Sequence, residues 1–321
     1  MPDQLTQYNN AITDLAVFDL GPHTQIELRG SDRLSFLHNF CTNDIKKLRP
    51  GEGCEAFLTN IKGRIIGHII VSATEDALWL DSEPGTSEAI IAHLDQYIIT
   101  ENVTITDHST EFVSLLLIGP QTESWMTTQI DSFPGLSAGG QITTSLAQVK
   151  AIFRRVPFTA LPTFEVIASQ ADASQVRQSF LNKNMTFIAP EVFETLRIEA
   201  GFPRYGIDIT DANIAQEAGR TNQAISFNKG CYLGQEPIAR LDALGHVNKQ
   251  LRTVQIDQGP VPSPGSIVTL NTGEEAGYIT SAALSPSTGI PIALAMLRST
   301  SLSPDIDLTV GTAHVTEFPI T

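Results

Sequence analysis

The most distinctive stretch of this chain is Lys229-Gly230-Cys231-Tyr232-Leu233-Gly234-Gln235-Glu236. A single cysteine stands there between two glycines, and glycine lets the backbone adopt positive φ and pass close to other groups. A thiol on such a polar turn is expected to be exposed. The cations Lys229 and Arg240 favour the thiolate, the form that attacks electrophiles and binds metals. The alternative is a buried cysteine that packs as a small hydrophobic residue.

The composition is typical of a globular protein with two or three domains. The chain has 321 residues, of which 41% are hydrophobic and 17% are charged. Its net charge of −15 disfavours broad nucleic-acid binding, because a polyanion is repelled by most of the surface. The segment 220–249 differs, with four cations against two acids, and suits a small anionic ligand.

The three cysteines, Cys41, Cys54 and Cys231, indicate a reducing compartment. Cys41 follows an apolar helical spacing and is predicted to be a core thiol, while Cys54 has no partner in the sequence. The acidic N-terminus lacks the apolar run of a secretory signal. The longest apolar runs are strand-sized, so we expect a cytoplasmic protein without membrane contact.

Strand-like and helix-like runs alternate through the first two thirds of the chain, which predicts an α+β fold. Strands are predicted at 25–29, 56–59, 64–73, 77–81, 103–107, 113–119, 148–156 and 163–169. Helices are predicted after residues 31 and 86, over about 173–181, and from Pro190 to Gly201. No dinucleotide or P-loop phosphate-binding motif is present.

After residue 246 the pattern changes to short strands separated by turns rich in Pro, Gly, Ser and Asn. Six strands are predicted, at 252–257, 266–270, 275–284, 292–297, 308–310 and 313–318. Six short strands without a helix indicate a small barrel or sandwich.

The cysteine motif, extended by Ile238-Ala239-Arg240, resembles the K-G-C-Y-x-G-Q-E-x-x-A-R signature of the YgfZ family. These proteins are folate-binding relatives of the glycine-cleavage T-protein, an aminomethyltransferase. They are linked to iron–sulfur cluster assembly or repair and to cluster-dependent tRNA modification enzymes. Three weaker matches to the family lie between about residues 20 and 300. Residues 29–33, with 36–37 and 42–44, are similar to its N-terminal segment, and residues 196–201 to the L-R-I-E-x-G element shared with T-proteins. Residues 277–281, with 293–295, are similar to its C-terminal barrel.

This resemblance implies a specific architecture. Residues 1–245 would form two interleaved ferredoxin-like α+β subdomains, the second at approximately 52–112, and residues 246–321 a C-terminal β-barrel. The three parts would form a ring around a central channel that binds tetrahydrofolate or a derivative. We expect the Cys231 thiol to lie at the mouth of that channel.

Glu199, in the L-R-I-E-x-G element shared with T-proteins, is the best candidate ligand for the pterin. A pterin presents an N3–H and a 2-amino group side by side, and one carboxylate can accept from both. The alternative is a helix-surface glutamate in a salt bridge with Arg197. The other cofactor-binding candidates are Arg197, Arg220, Lys229, Tyr232, Gln235, Arg240, Asn43, Asp44 and Arg64, with Lys62 as a weaker one.

One difference between this sequence and the T-proteins favours the YgfZ family over the aminomethyltransferases. T-proteins carry an Asn-Ala element followed by a catalytic aspartate, and the equivalent stretch here, residues 80–88, keeps acids but loses that pattern. Asp81 or Glu88 in that role would be a coincidence.

Cys231 is therefore predicted to be a functional thiol, with Lys229 as its activating cation. A [4Fe–4S] cluster usually takes four thiolates, so we expect no stable metal in one chain and at most a transient cluster shared with a partner. The first hypothesis is a folate-binding accessory protein for iron–sulfur client proteins or cluster carriers, and whether it is an enzyme stays open. The alternatives are a tetrahydrofolate-dependent aminomethyltransferase or other one-carbon transferase, and a cysteine hydrolase pairing Cys231 with His38, His68 or His246.

Overall fold

The computed structural model describes residues 2–130, 133–245, 247–257, 259–303 and 306–318. Within these ranges the chain folds into two open β-sheets, a closed barrel and surrounding helices. The helices are α1 (Gln4–Thr13), α2 (Arg33–His38), α3 (Ser87–Asp95), α4 (Thr122–Gln129), α5 (Ala173–Asn182), α6 (Pro190–Glu199), α7 (Thr221–Ala224) and α8 (Gln235–Leu244). Single 3-10 turns lie at Ile45–Lys47, Ala215–Ala218 and Ser299–Ser301.

The first sheet has five strands in the order β3-β4-β5-β2-β6. They are β2 (Thr24–Arg29), β3 (Gly53–Thr59), β4 (Ile65–Ala73), β5 (Ala77–Ser82) and β6 (Thr104–Asp107), after β1 (Ala16–Gly21). The predicted hairpin of β3 and β4 is confirmed. Helices α2 and α3 cover this sheet, and the buried side chains of Leu37 and Ile90 join its core. The sheet begins at Thr24, well before the predicted subdomain boundary near residue 52.

The second sheet has six strands in the order β11-β1-β7-β10-β9-β8. Its later strands are β7 (Phe112–Ile118), β8 (Gln141–Leu146), β9 (Val149–Arg155), β10 (Thr163–Ser169) and β11 (Thr186–Phe187). Strand β1 pairs antiparallel with β7 and parallel with β11. The N-terminal strand thus belongs to a sheet whose other strands all come after residue 111.

The C-terminal strands close into the predicted barrel, in the order β12-β15-β14-β13-β16-β17. They are β12 (Lys249–Asp257), β13 (Ile267–Leu270), β14 (Glu275–Leu284), β15 (Pro291–Arg298), β16 (Leu308–Val310) and β17 (Ala313–Glu317). Closure brings β14 against β15 so tightly that a Cβ at Gly277 would lie 2.1 Å from the carbonyl oxygen of Met296. Only glycine fits there without a shift of the backbone.

Helix α6 connects the sheets to the barrel. It begins with Pro190 at its first position, as predicted, and the chain leaves it through Gly201 at a φ of 65°. Val192, Phe193 and Leu196 pack in a core shared with α1 and the sheets. On the barrel side, the Thr253 hydroxyl donates to the carbonyl of Ile198 at 3.3 Å. Helix α6 is therefore held from both sides.

Candidate functional site

A cavity of about 160 Å³ lies where both sheets approach α6. We call it the central cavity, and it is partly open to solvent. A cavity of roughly 150 Å³ in a protein core accommodates one benzene ring, so this one admits a flat ring whose remainder extends outward. Its walls are formed by Phe18, Leu20, His23, Glu83, Pro84, Phe158, Pro190, Phe193, Glu194, Arg197, Phe202 and Arg204.

Aromatic side chains form much of the wall. Phe18 and Phe193 stack with ring centroids 4.3 Å apart and planes inclined by 13°. Phe158 and Phe202 meet at 5.0 Å with tilted planes. Flat faces of this kind suit an aromatic ligand ring, which gains from both apolar burial and stacking.

The α6 wall combines apolar and charged side chains at helical spacing. Pro190, Phe193, Glu194 and Arg197 are three or four residues apart and so share the face turned to the cavity. Arg197 is buried and donates to both carboxylate oxygens of Glu194, and to Asp208 at 2.8 Å. Because both oxygens of Glu194 already accept from Arg197, this carboxylate has limited capacity for a ligand.

Glu83 is the other carboxylate in the wall. It follows β5, and its Oε2 atom accepts from Nε of Arg204 at 3.1 Å. Among the residues that the structure describes, no donor reaches Oε1 of Glu83. This partly buried oxygen is therefore an acceptor that a molecule in the cavity can use.

His23 stands in the wall between β1 and β2, in a buried ionic network. Its Nδ1 atom lies 3.1 Å from Oδ1 of Asp81. The other oxygen of Asp81 accepts a hydrogen bond from Gln25 and forms an ion pair with Arg154 at 3.2 Å. Arg154 also bonds Glu165 at 3.2 Å. All five side chains are buried, so each charge depends on the others for compensation.

The network shifts the titration of its members. Burial alone would lower the pKa of His23, but the charges of Asp81, Glu165 and Glu83 outweigh it and raise the pKa to about 9. Burial, followed by the charge of Asp81, raises the pKa of Glu165 to about 7. Burial opposes ionisation of Asp81, yet His23 and Arg154 together hold its pKa below the usual value. At neutral pH His23 is thus a cation beside an ionised Asp81.

The same network raises the question of a metal ion. Ligand atoms of His23, Asp81 and Glu165 all lie within 4.8 Å of one another. The guanidinium of Arg154, however, is bonded to both carboxylates and supplies the positive charge that a metal would bring. The donor set therefore fits an ion-pair network better than a cation site.

A smaller cavity of about 20 Å³ adjoins the central one and shares His23, Glu83, Phe158 and Phe202 with it. His68 lies in its wall, between the rings of Phe57 and Phe202 at 4.7 and 5.1 Å. Nε2 of His68 lies 2.8 Å from Glu55, which is also bonded by Arg220. A second buried ionic cluster thus supports the wall from behind.

Two family models match the chain. The one described as "GCVT N-terminal domain" matches residues 5–229, more than two thirds of the chain, and "Glycine cleavage T-protein C-terminal barrel domain" matches residues 249–321. This chain belongs to the glycine cleavage T-protein family. The narrower resemblance to the YgfZ family stays a prediction.

Several curated proteins are similar over most of their length. The chain is 29% identical over 305 residues to an aminomethyltransferase of Listeria innocua serovar 6a, covering 93% of this chain and 83% of that protein. It is 26% identical over 307 residues to an aminomethyltransferase of Nostoc sp., covering 92% and 80%. A putative chloroplastic transferase of Arabidopsis thaliana is 28% identical over 293 residues, which cover 87% of this chain and 63% of that protein.

The fold is that of the T-protein. The crystal structure of glycine cleavage system aminomethyltransferase T from Bartonella henselae superposes with a TM-score of 0.86, covering 99% of this chain and 88% of that one. The sequence identity over this match is 18%, so the likeness concerns the fold. In the described part of the chain, no helix is both long and apolar enough to cross a membrane.

Glu199, the predicted pterin ligand, does not line the central cavity of this T-protein fold. Two residues along a helix turn the side chain by about 200°, so Glu199 faces away from the surface that carries Arg197. Both of its carboxylate oxygens accept from the Tyr8 hydroxyl at 3.0 Å. Burial raises the pKa of Glu199, and the Tyr8 hydrogen bond partly offsets this. In the structure the contact of Glu199 is with α1, and its role as a pterin ligand stays a prediction.

Lys229 is buried beneath the motif loop. Its ammonium group donates to the carbonyls of His38, Cys41 and Asn43 at 2.6 to 2.8 Å, and it lies 4.7 Å from the centre of the Tyr232 ring. Burial lowers the pKa of Lys229. These contacts favour a structural role for Lys229 instead of the predicted contact with a ligand or with the thiol.

Cys231 is exposed, as predicted from the polar turn that carries it. Cys41 is buried, as predicted, and Cys54 is half-buried. The motif residues line neither the central nor the smaller cavity, so the thiol is not at the mouth of this site. Gly234 has a φ of 85°, and a Cβ there would lie 2.4 Å from the Asn60 carbonyl oxygen. The glycine thus allows the loop to dock on the turn between β3 and β4.

The remaining predicted ligands lie around this loop and not in the cavity. Asn43 bonds the carbonyls of Glu55 and Gln223, and Asp44 pairs with Lys47 at 2.6 Å. The others are Arg64, which donates to the Ala212 carbonyl, exposed Lys62, buried Tyr232, Gln235 at the start of α8, exposed Arg240, and Arg220, which is paired with Glu55. Of the predicted ligands, only Arg197 lines the central cavity.

The structure distinguishes the other candidate acids and histidines by their position. Asp81 lies in the wall of the smaller cavity, whereas Glu88 is exposed at the start of α3. No histidine in the described ranges is hydrogen-bonded to Cys231, which gives no support to a cysteine hydrolase, and His246 lies outside the described residues. His23 and Glu83 line the central cavity but are not among the predicted site residues. The acids of segment 80–88 were a signal for Glu83, but His23 stands in no motif.

Proposed function

We propose that this protein binds tetrahydrofolate in the central cavity and transfers a one-carbon unit, as an aminomethyltransferase-like member of the T-protein family. The observation that carries the proposal is the free Oε1 atom of Glu83 in an aromatic-walled cavity. This assignment replaces the first hypothesis from the sequence, in which iron–sulfur maintenance was the main role.

The wall of the cavity fits a pterin in shape and in chemistry. The paired rings of Phe18 and Phe193, and those of Phe158 and Phe202, provide flat apolar faces for a fused ring. The pterin N3–H and 2-amino groups need an acceptor, and a partly buried carboxylate is a strong one. Glu83 is preferred to Glu194, whose two oxygens both accept from Arg197.

The residues of the chain would hold and shield the ring. Bound tetrahydrofolate would supply the nitrogen that carries the one-carbon unit. Arg204 holds the carboxylate of Glu83 in place through its contact at 3.1 Å. The aromatic wall excludes water from the ring face, which strengthens the polar contacts at its edge.

Calorimetric titration with 5-formyltetrahydrofolate tests the binding. Glu83→Gln replaces the acceptor oxygen with an amide, and a hydrogen bond to a charged group is worth roughly 1.5 to 3 kcal/mol, so we expect about a tenfold to hundredfold weaker affinity. The matched control is Glu88→Gln, an exposed glutamate five residues later, which should leave the affinity unchanged. Equal affinities for wild type and Glu83→Gln would remove the pterin from this cavity.

The transfer itself is tested with tetrahydrofolate and an aminomethyl-lipoyl carrier protein, by measuring ammonia release and formation of the folate product. Activity that depends on Glu83 would support the aminomethyltransferase. Tight folate binding without any transfer would limit the protein to folate binding.

The exposed thiol favours a second candidate, a role in iron–sulfur cluster maintenance. Cys41 is buried and Cys54 is half-buried, and burial raises the pKa of both thiols, whereas Cys231 is exposed. A cluster on this protein would then be shared with a partner. Anaerobic reconstitution followed by iron counting tests this, and a cluster that forms equally on Cys231→Ala would exclude the role for this thiol.

A further inference from the structure

A further cavity, of about 340 Å³, lies between α8 and the first half of β12. We call it the barrel groove. Its volume is within the range of small-molecule sites, about 300 to 1,000 Å³. None of its lining residues belongs to the central cavity, so a molecule bound here would be separate from the proposed folate site.

Arg252, on β12, supplies the positive charge of the groove wall. Its Nη1 atom lies 3.2 Å from Glu317, an exposed carboxylate that lines two neighbouring cavities but not the groove. Its Nε atom is buried and has no hydrogen-bond partner in the described part of the chain. A guanidinium binds a carboxylate through two parallel N–H groups, so an unpaired Nε leaves Arg252 open to a carboxylate ligand.

The α8 wall of the groove carries the opposite charge. Asp242 is exposed in the last turn of α8, where the helix dipole is negative and where no basic residue stands. One turn earlier on the same face, the Ile238 carbonyl accepts from Nε2 of Gln216 at 2.7 Å. Oε1 of Gln216 is buried and, among the described residues, receives no donor. Two unpaired acceptors at the negative end of a helix call for a cationic donor.

Apolar side chains complete the wall, from Leu241, Val247 and Leu302. They favour the burial of an aliphatic group. Arg252 and Asp242 are the charged residues of this wall, so a zwitterion matches them one to one. We propose that the barrel groove binds a free aliphatic α-amino acid. Its carboxylate contacts Arg252, and its ammonium group contacts the α8 wall.

Calorimetric titration of the full chain with L-leucine tests the site. Two analogues each lack one charged group, since 3-methylbutylamine has no carboxylate and 4-methylpentanoate has no ammonium group. We expect L-leucine to bind at least about tenfold more tightly than either analogue, the value of one charged hydrogen bond. Failure of wild type to bind L-leucine, or equal affinity for an analogue, would overturn the proposal.

Two variants assign the charged contacts. Arg252→Met should weaken the binding of L-leucine about tenfold or more and leave that of 3-methylbutylamine unchanged, because this analogue has no carboxylate to lose. Asp242→Asn should weaken L-leucine in the same way and leave 4-methylpentanoate unchanged. The matched controls, Arg298→Met and Asp257→Asn at exposed positions of the barrel, should keep the wild-type affinities. An equal loss for all three compounds would overturn the assigned contacts.

A second measurement needs no variant. In protein with ¹⁵N-labelled arginine, L-leucine should shift the Nε resonance of Arg252 and leave that of Arg298 in place. An unmoved Arg252 resonance would overturn its contact with the carboxylate. Affinity for 5-formyltetrahydrofolate should be the same in Arg252→Met as in wild type, because the two cavities share no lining residue. Loss of folate binding in wild type would overturn the proposed function and leave this inference standing.

Discussion

Nδ1 of His23 lies 3.1 Å from Oδ1 of Asp81, and both side chains are buried. The pair connects the wall of the central cavity to a network that crosses from the first sheet to the second, because Asp81 lies on β5 and its partner Arg154 on β9. Ions withdrawn from water in this way must be compensated by each other. The contacts that position the cavity wall therefore also determine how the protein responds to pH.

The first prediction concerns stability at alkaline pH. The pKa of His23 is raised from 6.5 to about 9 on folding, so its protonated form stabilises the fold fully below pH 6.5. This contribution is lost as the pH rises through about 9, and it amounts to something on the order of 3 kcal/mol. Urea unfolding of wild type at pH 6 to 9.5 should show the decline. In His23→Gln the decline over this window should be smaller, and parallel curves would contradict the assignment.

The second prediction concerns the centre of the network. Arg154→Met leaves Asp81 and Glu165 buried without their shared cation, and removal of one partner from a buried ion pair costs about 3 to 5 kcal/mol. The control is Arg298→Met at the end of β15, since Arg298 is 58% exposed and lies 3.7 Å from Glu275. An exposed pair of this kind is worth less than about 1 kcal/mol. Equal urea midpoints for the two variants would contradict the role of Arg154.

Much of the fold could be predicted because its signals are local. The turn at Asn60–Gly63 predicts the β3–β4 hairpin, and Pro190 with Gly201 brackets α6. Six alternating strands with turn residues between them predict the barrel. The position of β1 could not be predicted, because its partners β7 and β11 lie about 100 and 170 residues further along the chain. Helix α8, which begins inside the cysteine motif, was missed as well.

The site was harder to predict because the role of a charge depends on its partner. Arg220 and Lys229 looked like ligand-binding cations in the sequence, but Arg220 is paired with Glu55, 165 residues earlier. Lys229 bonds carbonyls nearly 190 residues away. Glu83 and His23 come together only through the pairing of β2 with β5. No spacing along the sequence reveals such contacts.

The third prediction concerns the anchor of the motif loop. Lys229→Met keeps the aliphatic stem but removes the hydrogen bonds to the carbonyls of His38, Cys41 and Asn43. The variant loses hydrogen bonds from a charged group and leaves the carbonyls without their donor. We therefore expect the free energy of unfolding to fall by about 2 to 4 kcal/mol. Lys62→Met, on an exposed turn, should change it by less than about 0.5 kcal/mol. A stable Lys229→Met variant with reduced folate affinity would instead support the original ligand role.

The fourth prediction concerns the thiols. Reaction with a disulfide reagent needs an accessible thiolate, and only Cys231 is exposed among the three cysteines. Burial raises the pKa of Cys41 to about 11 and raises that of Cys54 as well, so both should react slowly in the native state. Native protein should therefore release one equivalent of thionitrobenzoate from Ellman's reagent quickly, and denatured protein three. Cys231→Ser should lose the fast phase. Two fast equivalents in wild type would show that Cys54 is reached by the reagent, and would add a second thiolate to any cluster shared with a partner.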